Sequence, residues 1–350
     1  MSSTSDLHVV ETRPLLPPYQ LQRELPLTSN AALTVTKTRE RIKSILHGTD
    51  KRLLVIVGPC SVHDVQAARD YAARILPLRN KYEEQLEIVM RVYFEKPRTT
   101  LGWKGLINDP HLNGSYDINT GLRLARQLLL DLASQGLPSA TELLDPVVPQ
   151  YIADLVSWTA IGARTTESQT HREMASGLSM PIGYKNSTDG STDIAINAME
   201  TASKSHHFLG INIHGQASIV RTTGNPDGHL VLRGGSQGTN YHIEAVKEAS
   251  SGLKAASLPH RVMIDCSHGN SNKDYRRQVE VLGQVAEQVR NGSSCMMGVM
   301  LESHLVAGNQ KISQKFEDLT YGQSITDACI DVNTTAELLE ELANAVAYSL

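Results

Sequence analysis

The sequence predicts an α/β fold in which eight parallel strands close into a barrel covered by helices, a (β/α)8 arrangement. From residue 53 onward, short apolar runs rich in Val, Ile and Leu alternate with longer amphipathic stretches, a pattern typical of a parallel sheet covered by helices. Eight such runs can be counted, the number that closes a barrel. The alternative is a doubly wound open sheet, but no Gly-x-Gly-x-x-Gly follows the first run.

The eight runs are separated by helical segments in most cases. They are LLVIVGPC (53–60), EIVMRVYF (87–94), SATELL (139–144), AIGARTTES (160–168), PIGYKN (181–186), HLVLRGG (229–235), VMIDCSHGN (262–270) and CMMGVMLES (295–303). Helices are predicted from about Val65, across 121–136, around 150–158 and, as a packing element, across 335–347. Two further alternating runs joined by turn residues predict an inserted β-hairpin at about 206–224.

The first 45 residues are predicted to form an N-terminal arm rather than part of the barrel core. Four prolines interrupt the pattern there, before a helix that begins near Asn30. Such an arm would either lie over its own barrel or cross to a second subunit, where it would make regulatory or oligomer contacts. The predicted division is therefore an arm at 1–45 and a catalytic barrel at 46–350.

The composition excludes several classes of protein. Hydrophobic residues make up 40% and charged residues 20% of the chain, enough apolar material for a large globular core. A net charge of -4 leaves no dominant basic face for nucleic acid. No apolar run approaches the roughly 18 residues of a membrane span, and the N-terminus lacks signal-peptide features. The four cysteines are far apart, which argues against a disulfide framework or zinc ribbon. We expect a cytoplasmic protein.

Functional residues are expected after the strands, because the loops at the carboxyl ends of barrel strands build the site. Those positions hold Cys60, Arg91, Glu142, Arg164, Lys185, Arg233, His268 and Glu302. Four of these eight residues are cations, and cations buried singly would be costly. Together they predict a polyanionic ligand in a shared cavity, although each arginine could instead pair with a local carboxylate.

The second strand leads into the densest group of donors in the chain. Arg91, Lys96 and Arg98 lie within eight positions of one another, and Pro97 stiffens the turn between them. Guanidinium forks and an ammonium suit phosphate and carboxylate groups. A solvated charged loop is the alternative interpretation.

A second set of polar residues combines soft and hard donors. It consists of Cys60, His268, Glu302 and Asp327, and such a set can hold a divalent transition metal that acts as a Lewis acid on a carbonyl. Alternatively, Cys60 is a small buried hydrophobe and His268 a core imidazole. Lys185 is open to two interpretations, a Schiff-base amine or an anion clamp.

Long motifs in the chain resemble those of the type I 3-deoxy-D-arabino-heptulosonate 7-phosphate (DAHP) synthases of bacteria and fungi. The resemblance covers nearly the whole chain. The motifs are GPCSVHD (58–64), MRVYFEKPRTTLGWKGLINDPHLNGSYDIN (90–119), IGARTTESQTHREMASGLSMPIGYKN (161–186), LRGG (232–235), DCSHGNSNKDYRRQ (265–278) and YGQSITDAC (321–329).

The resemblance implies the first step of the shikimate pathway, the condensation of phosphoenolpyruvate with D-erythrose 4-phosphate to DAHP and phosphate. It implies a phosphoenolpyruvate pocket made by Arg91, Lys96, Arg164, Lys185 and Arg233, of which the last four are catalytic. It implies sugar-phosphate contacts from Arg98 and Thr99. The implied ligands of a divalent metal, one of Mn, Fe, Co, Zn or Cu, are Cys60, His268, Glu302 and Asp327. The metal would polarise the sugar aldehyde for attack by C3 of the enol, and Lys185 then becomes a clamp.

Enzymes of this kind are generally inhibited by one aromatic amino acid, and the arm and hairpin suggest a homodimer or homotetramer. The implied effector residues are Asp6, Pro149, Gln150, Leu178, Ser179, Phe208, Gly210 and Val220. Glycine at 210 leaves room for a phenolic hydroxyl, which favours tyrosine over phenylalanine, and tryptophan stays open. A non-catalytic amino-acid sensor is disfavoured because every implied metal and anion residue is present. Ser187 and the loop 236–240 depart from the usual pattern beside Lys185 and Arg233.

Overall fold

Parallel strands closed into a barrel form the centre of the computed structural model, which describes residues 4–98, 100–313 and 316–349. Eight strands pair in chain order, and the last pairs with the first, so the predicted (β/α)8 barrel is confirmed and the open sheet is excluded. The strands are β1 Leu53–Gly58, β2 Leu86–Arg91, β3 Ser139–Glu142, β4 Trp158–Ile161, β5 Ile182–Lys185, β6 His207–Ile211, β7 Ala217–Arg221, β8 Gly228–Leu232, β9 Val262–Asp265, β10 Met296–His304, β11 Val306–Asn309, β12 Gln323–Ser324 and β13 Ile330–Asp331. The barrel contains β1 to β5 and β8 to β10.

Helices follow most of the barrel strands. They are α1 Pro18–Glu24, α2 Ser29–Leu46, α3 Val65–Lys81, α4 Ile118–Ser134, α5 Pro149–Ile152, α6 Gln169–Ala175, α7 Asp193–Ala202, α8 Ile243–Ala255, α9 Gln278–Arg290 and α10 Val332–Ser349. The helix predicted around 150–158 is shorter than expected: α5 runs into a 3-10 turn, Ala153–Leu155, and Trp158 already begins β4. Within the described residues, no helix is both long and apolar enough to cross a membrane.

Strand geometry divides the core into two layers. In β1, Leu54 and Ile56 belong to a cluster inside the barrel, whereas Val55 and Val57 belong to the larger cluster between strands and helices. This division follows from the alternation of side chains along a strand. Both faces are therefore apolar and buried, which explains the continuous hydrophobic runs in the sequence.

Helix α2 closes the amino-terminal end of its own barrel. Ile42, Ile45 and Leu46 join the cluster inside the barrel, and their spacing places them on one face of the helix. Arg41 of α2 also pairs with Glu87 at the start of β2, at 3.3 Å. Since α2 spans position 45, the division between arm and barrel at that residue stays a prediction. The carboxyl ends of the strands, at the opposite end, are left free for a site.

A buried hydrogen-bonded pair near this closed end, Trp158 and His229, makes the stability of the barrel depend on pH. The indole Nε1–H of Trp158 donates to Nε2 of His229 at 2.8 Å, so the ring proton must reside on Nδ1, which faces the carbonyl of Leu230 at 3.3 Å. Burial lowers the pKa of His229 to about 4. Protonation would place an N–H against the indole N–H inside an apolar barrel.

We expect acid to destabilise the barrel through His229. In the unfolded chain the pKa of His229 is about 6.5. Between that pH and about 4, the unfolded chain therefore binds a proton that the folded chain does not bind. The free energy of unfolding then falls as pH drops from about 6.5 to about 4, by about 2 kcal/mol at about pH 5. Urea unfolding at neutral and acidic pH should show this loss in the wild type and not in His229→Gln. An equal pH dependence in both proteins would contradict it; exposed His242→Gln is the control.

The inserted hairpin is confirmed. Strands β6 and β7 pair antiparallel, with His207 opposite Arg221, and they form a sheet separate from the barrel. Helix α1 of the arm contacts the turn of this hairpin, where the backbone N–H of Tyr19 donates to the carbonyl of Ile213 at 2.8 Å. Leu209 and Ile219 remain 90% and 79% exposed. The hairpin therefore presents an apolar face that the described residues 4–98, 100–313 and 316–349 do not cover.

Candidate active site

A cavity of about 440 Å³ opens at the carboxyl ends of the barrel strands. Most of the predicted substrate and metal residues line it: Arg91, Lys96, Arg98, Arg164, Lys185, Arg233, His268, Glu302 and Asp327. Thr99 lies outside the described residues. Glu142, Lys273 and Tyr275 also line the cavity. The strand ends therefore meet in one space, and Arg164 and Arg233 share it.

Three of the four predicted metal ligands converge. One donor atom from each of Cys60, Glu302 and Asp327 lies within 4.8 Å of the other two. The ammonium of Lys96 contacts this triad, at 2.9 Å from the Cys60 Sγ and 2.7 Å from an Asp327 carboxylate oxygen. The thiol of Cys60 faces the same carboxylate at 3.5 Å. These residues come from the loops after β1, β2 and β12 and from β10 itself.

His268 stands beside this triad rather than within it. Its Nε2 lies 3.7 Å from Oε1 of Glu302, and its Nδ1 lies 3.0 Å from the Asp265 carboxylate. The backbone of His268 is in the left-handed region, with φ 55°, a conformation that non-glycine residues adopt uncommonly. Strained residues of this kind cluster at functional sites. The imidazole is thus aimed at the site by the backbone and by Asp265.

Charge and burial act in opposite directions on the triad. Burial raises the pKa of the Cys60 thiol to about 11, and the Glu302 carboxylate adds to this effect. Burial alone would also raise the pKa of Asp327, but the Lys96 ammonium outweighs it and holds that pKa well below its ordinary value. In the same way, His268 and Arg91 outweigh burial and lower the pKa of Glu302. The surrounding charges therefore favour the ionised form of both carboxylates, whereas burial favours the neutral form of the thiol.

Arg91 lies behind the triad and is 1% exposed. Its guanidinium donates to the carbonyls of Pro59 and Cys60, each at 3.0 Å. It also lies 3.0 Å from Oε1 of Glu302 and stacks 3.5 Å from the centre of the Tyr93 ring. Arg91 therefore fixes the main chain at Cys60 and the side chain of Glu302.

Lys185 emerges from the end of β5 and is almost completely buried. Its ammonium pairs with the carboxylate of Asp265 at 3.0 Å, and the side chain of Asp265 is completely buried. Burial would raise the pKa of Asp265, but His268 and Lys185 hold it well below its ordinary value. Asp265 thus orients two site residues at once, yet we did not predict it. The available signal was a carboxylate at the last position of an otherwise apolar strand.

Asparagine side chains replace strand pairing around Arg233. Asn186 Oδ1 accepts the N–H of Arg233 at 2.8 Å, and Asn240 Oδ1 accepts the N–H of Gly234 at 2.7 Å. Asn270 Oδ1 in turn accepts the N–H of Asn240 at 2.9 Å. The loop 236–240, unusual in sequence, therefore still anchors the backbone that carries Arg233.

Ser187 causes no backbone strain. It lies outside the left-handed region, so the conformation that would have required glycine is not used here. The single proton of its hydroxyl is shared between the Asp189 carboxylate and, at 3.0 Å, the carbonyl of Ser191. The turn after Lys185 is closed by these bonds.

The predicted effector residues lie on the hairpin, on α5, in the loop before β5 and, for Asp6, on the arm itself. Phe208 of β6 is paired with Val220 of β7, and a Cβ on Gly210 would lie 2.8 Å from a methyl of Val220. Pro149 and Gln150 begin α5. Leu178 and Ser179 lie in the loop before β5. Asp6 is exposed, and its carbonyl accepts the N–H of Val9 at 3.1 Å.

Helix α1 joins the two halves of this region. Its Gln22 donates to the carbonyl of Gln150 at 3.3 Å, and the hydroxyl of Tyr151 in α5 donates to the carbonyl of Leu16 at 2.8 Å. The contact of α1 with the hairpin is made at Tyr19, in its first turn. The arm therefore bridges α5 and the hairpin.

Comparison with known proteins identifies the family. A family model described as the DAHP synthetase I family matches residues 27–340. The chain belongs to the DAHP synthetase I family. The resemblance inferred from the motifs is thereby confirmed, as is the prediction that the chain is an enzyme of the DAHP synthase type.

Relatives of this DAHP synthetase carry different regulatory names. The chain is 55% identical over 341 residues to the Phe-sensitive phospho-2-dehydro-3-deoxyheptonate aldolase of Escherichia coli strain K12, covering 97% of both chains. It is 53% identical to the Trp-sensitive enzyme of the same strain, covering 99% of both. It is 52% identical to the Tyr-sensitive enzyme, covering 97% of this chain and 95% of the relative. Family membership therefore leaves the effector of this DAHP synthetase to be argued from its own residues.

A solved structure supports the fold of this DAHP synthetase directly. The phospho-2-dehydro-3-deoxyheptonate aldolase from Francisella tularensis SCHU S4 aligns with a TM-score of 0.95 at 50% identity, and the match covers 98% of this chain and 99% of that one. The barrel, the arm and the hairpin are thus part of a shared architecture.

Proposed function

We propose that this member of the DAHP synthetase I family condenses phosphoenolpyruvate with D-erythrose 4-phosphate at the described cavity, with a divalent cation held by the triad. The observation that carries the proposal is the shared cavity, where Glu302 and Asp327, which converge with the buried Cys60 thiol, lie beside five cationic side chains, Arg91, Lys96, Arg164, Lys185 and Arg233. A polyanionic substrate and a metal ion need opposite charges, and this arrangement supplies both in one space.

The cations have distinct roles in the proposal. Arg164 and Arg233 reach the cavity from the loops after β4 and β8 and are not fully buried, so their forks are available for the phosphate. Lys185 is held rigidly by Asp265 and binds the phosphoenolpyruvate from the cavity wall. Arg98, whose Nε–H donates to the carbonyl of Trp103 at 2.8 Å, would take the sugar phosphate, and the resemblance assigns Thr99 to the same role. Positioning and charge stabilisation of this kind account for large parts of an enzymatic barrier.

The triad fits a divalent transition metal. Thiolate and carboxylate ligands suit Mn, Fe, Co, Zn or Cu. Oε1 of Glu302 is buried, and its 3.0 Å contact with Arg91 is an ion pair without the geometry of a hydrogen bond, so this oxygen keeps lone-pair capacity for a further ligand. His268, 3.7 Å from that oxygen, would complete the set. When bound, the metal would supply Lewis-acid activation of the sugar aldehyde.

A Schiff-base mechanism at Lys185 is the alternative chemistry. The structure favours the clamp, because the Lys185 ammonium is engaged by a completely buried carboxylate. A sensor without catalysis is disfavoured by the complete set of cations and donors around the cavity.

We propose that an aromatic amino acid, with tyrosine preferred, binds between α5, the arm and the hairpin and inhibits the reaction. The proposal follows the family resemblance: Phe208, Gly210 and Val220 lie together on the hairpin, and Gly210 brings no side chain or hydroxyl of its own. The hairpin's exposed Leu209 and Ile219 support a homodimer or homotetramer, because exposed apolar patches mark interaction sites.

One turnover assay tests these proposals together. We expect formation of DAHP and phosphate from the two phosphorylated substrates, loss of activity with EDTA, recovery with Mn²⁺, and strongest inhibition by tyrosine among the three aromatic amino acids. Borohydride with substrate present should trap no covalent adduct. Activity that survives EDTA together with a trapped adduct at Lys185 would establish the Schiff-base mechanism instead.

A further inference from the structure

The main chain at Glu302 loses its strand neighbour on one side. Strand β9 ends at Asp265, which is paired with Met300 of β10, and the last main-chain bond on that side runs from Cys266 N–H to the Met300 carbonyl at 2.9 Å. Residues two apart in a strand direct their N–H and C=O groups to the same side. The N–H and C=O of Glu302 therefore face a side from which the neighbouring strand has departed.

The side chain of Gln278 takes the place of that strand. Its Oε1 accepts the N–H of Glu302 at 2.8 Å, and its Nε2 donates to the carbonyl of Glu302 at 3.0 Å. A carboxamide carries one acceptor and one donor group in the geometry of a peptide unit, so it pairs with a single residue as a strand would. Gln278 is 0% exposed, and it begins α9 directly after the 3-10 turn Tyr275–Arg277.

We propose that Gln278 is a positioning residue that fixes the main chain of Glu302 and thereby sets the metal affinity of the triad. The inference rests on the proposed function, because it gives Glu302 its role as a ligand. Cys60 and Asp327 reach the site from loops, whereas Glu302 is part of a strand. Glu302 is thus the fixed member of the triad as long as its main chain is held.

The carboxylate of Glu302 is oriented by other residues. The hydroxyl of Ser267 donates to its Oε2 at 2.8 Å, and Arg91 lies 3.0 Å from its Oε1. These contacts set the side-chain rotation of Glu302, whereas the position of its Cα depends on how the main chain is held. Gln278 contacts only main-chain atoms of Glu302, so its influence on the triad is through backbone position alone.

Co²⁺ binding to the metal-free enzyme tests this inference. Gln278→Glu keeps the shape but places a carboxylate oxygen against the Glu302 carbonyl, and Gln278→Asn keeps the amide but withdraws it by one methylene. Partners of metal ligands change affinity by about 10- to 100-fold when altered, so we expect Co²⁺ dissociation constants to rise by about that factor in Gln278→Glu and less in Gln278→Asn. The Co²⁺ absorption bands should shift as well, because the ligand geometry changes.

Two further variants separate the possible outcomes. Gln288→Glu is the matched control, since Gln288 also lies on α9 and donates to a backbone carbonyl, that of Tyr241 at 2.9 Å; it should bind Co²⁺ as the wild type does. Cys60→Ala should lose Co²⁺ binding. Wild-type affinity and spectrum in folded Gln278→Glu would overturn the inference, and if that variant does not fold, the same result in Gln278→Asn would do so. Unchanged binding in Cys60→Ala would instead overturn the proposed metal site.

Discussion

Replacement of Cys60 by alanine is expected to lower kcat by at least about 100-fold while the barrel stays folded. Changes in the partners of metal ligands typically cost up to about 100-fold, and Cys60 is proposed as a ligand itself. The thiol is completely buried, 2.9 Å from Lys96 and 3.5 Å from Asp327. A buried cysteine otherwise behaves as a small hydrophobe, so alanine should be tolerated by the fold.

Cys295 provides the matched control. It is a free cysteine that precedes β10 at the opposite end of the barrel, and Cys295→Ala should keep wild-type turnover. Steady-state assays with both phosphorylated substrates, and thermal unfolding monitored by circular dichroism, distinguish loss of chemistry from loss of fold. Full activity in Cys60→Ala would remove the thiol from the proposed metal site.

Replacement of Lys185 by methionine is expected to reduce both stability and activity. Removal of one partner from a buried ion pair costs about 3 to 5 kcal/mol, because a buried charge is left uncompensated. Asp265 would keep the Nδ1 of His268 and the N–H of Ser267, each at 3.0 Å, but no fully charged buried partner like the ammonium, so we expect the free energy of unfolding to fall by about 3 kcal/mol. The phosphoenolpyruvate clamp is lost as well, which should lower kcat/KM by at least about 100-fold.

The double variant Lys185→Met with Asp265→Asn separates these two effects. It removes the unpaired charge, so urea unfolding should show that most of the lost stability returns, while activity should not return. Lys247→Met, at an exposed position on α8, should change neither. Recovery of activity in the double variant would show that Lys185 is structural and does not bind the substrate.

The sequence predicted the barrel and most of the cavity because both follow from one repeated pattern. Parallel strands bring their carboxyl ends to the same edge, so Arg164 and Arg233, 69 positions apart in the chain, could be assigned to one cavity before any coordinates were known. The same reasoning placed Lys185 and Glu302 there. The eight strands were recognisable because both of their faces are apolar.

Several features depend on contacts that no local pattern contains. The sequence pattern places Trp158 at the end of a helix, because a short apolar run can form either a helix or a strand. In the structure Trp158 pairs with Ala140 of β3 and is part of a strand. Helix α1 was hidden by Pro17 and Pro18, which were interpreted as breakers although proline is favoured in the first turn of a helix. Asp265 gains its role only from Lys185 and His268, which the barrel brings to it.

Anomalous X-ray scattering from crystals grown with Mn²⁺ is the most direct test of the convergence of Cys60, Glu302 and Asp327 on one ion. We predict a single strong anomalous peak at about 2.0 to 2.5 Å from the Cys60 Sγ and from a carboxylate oxygen of each of the other two residues. A peak outside this triad, or occupied Mn²⁺ sites elsewhere in a fully active crystal with none here, would contradict the account.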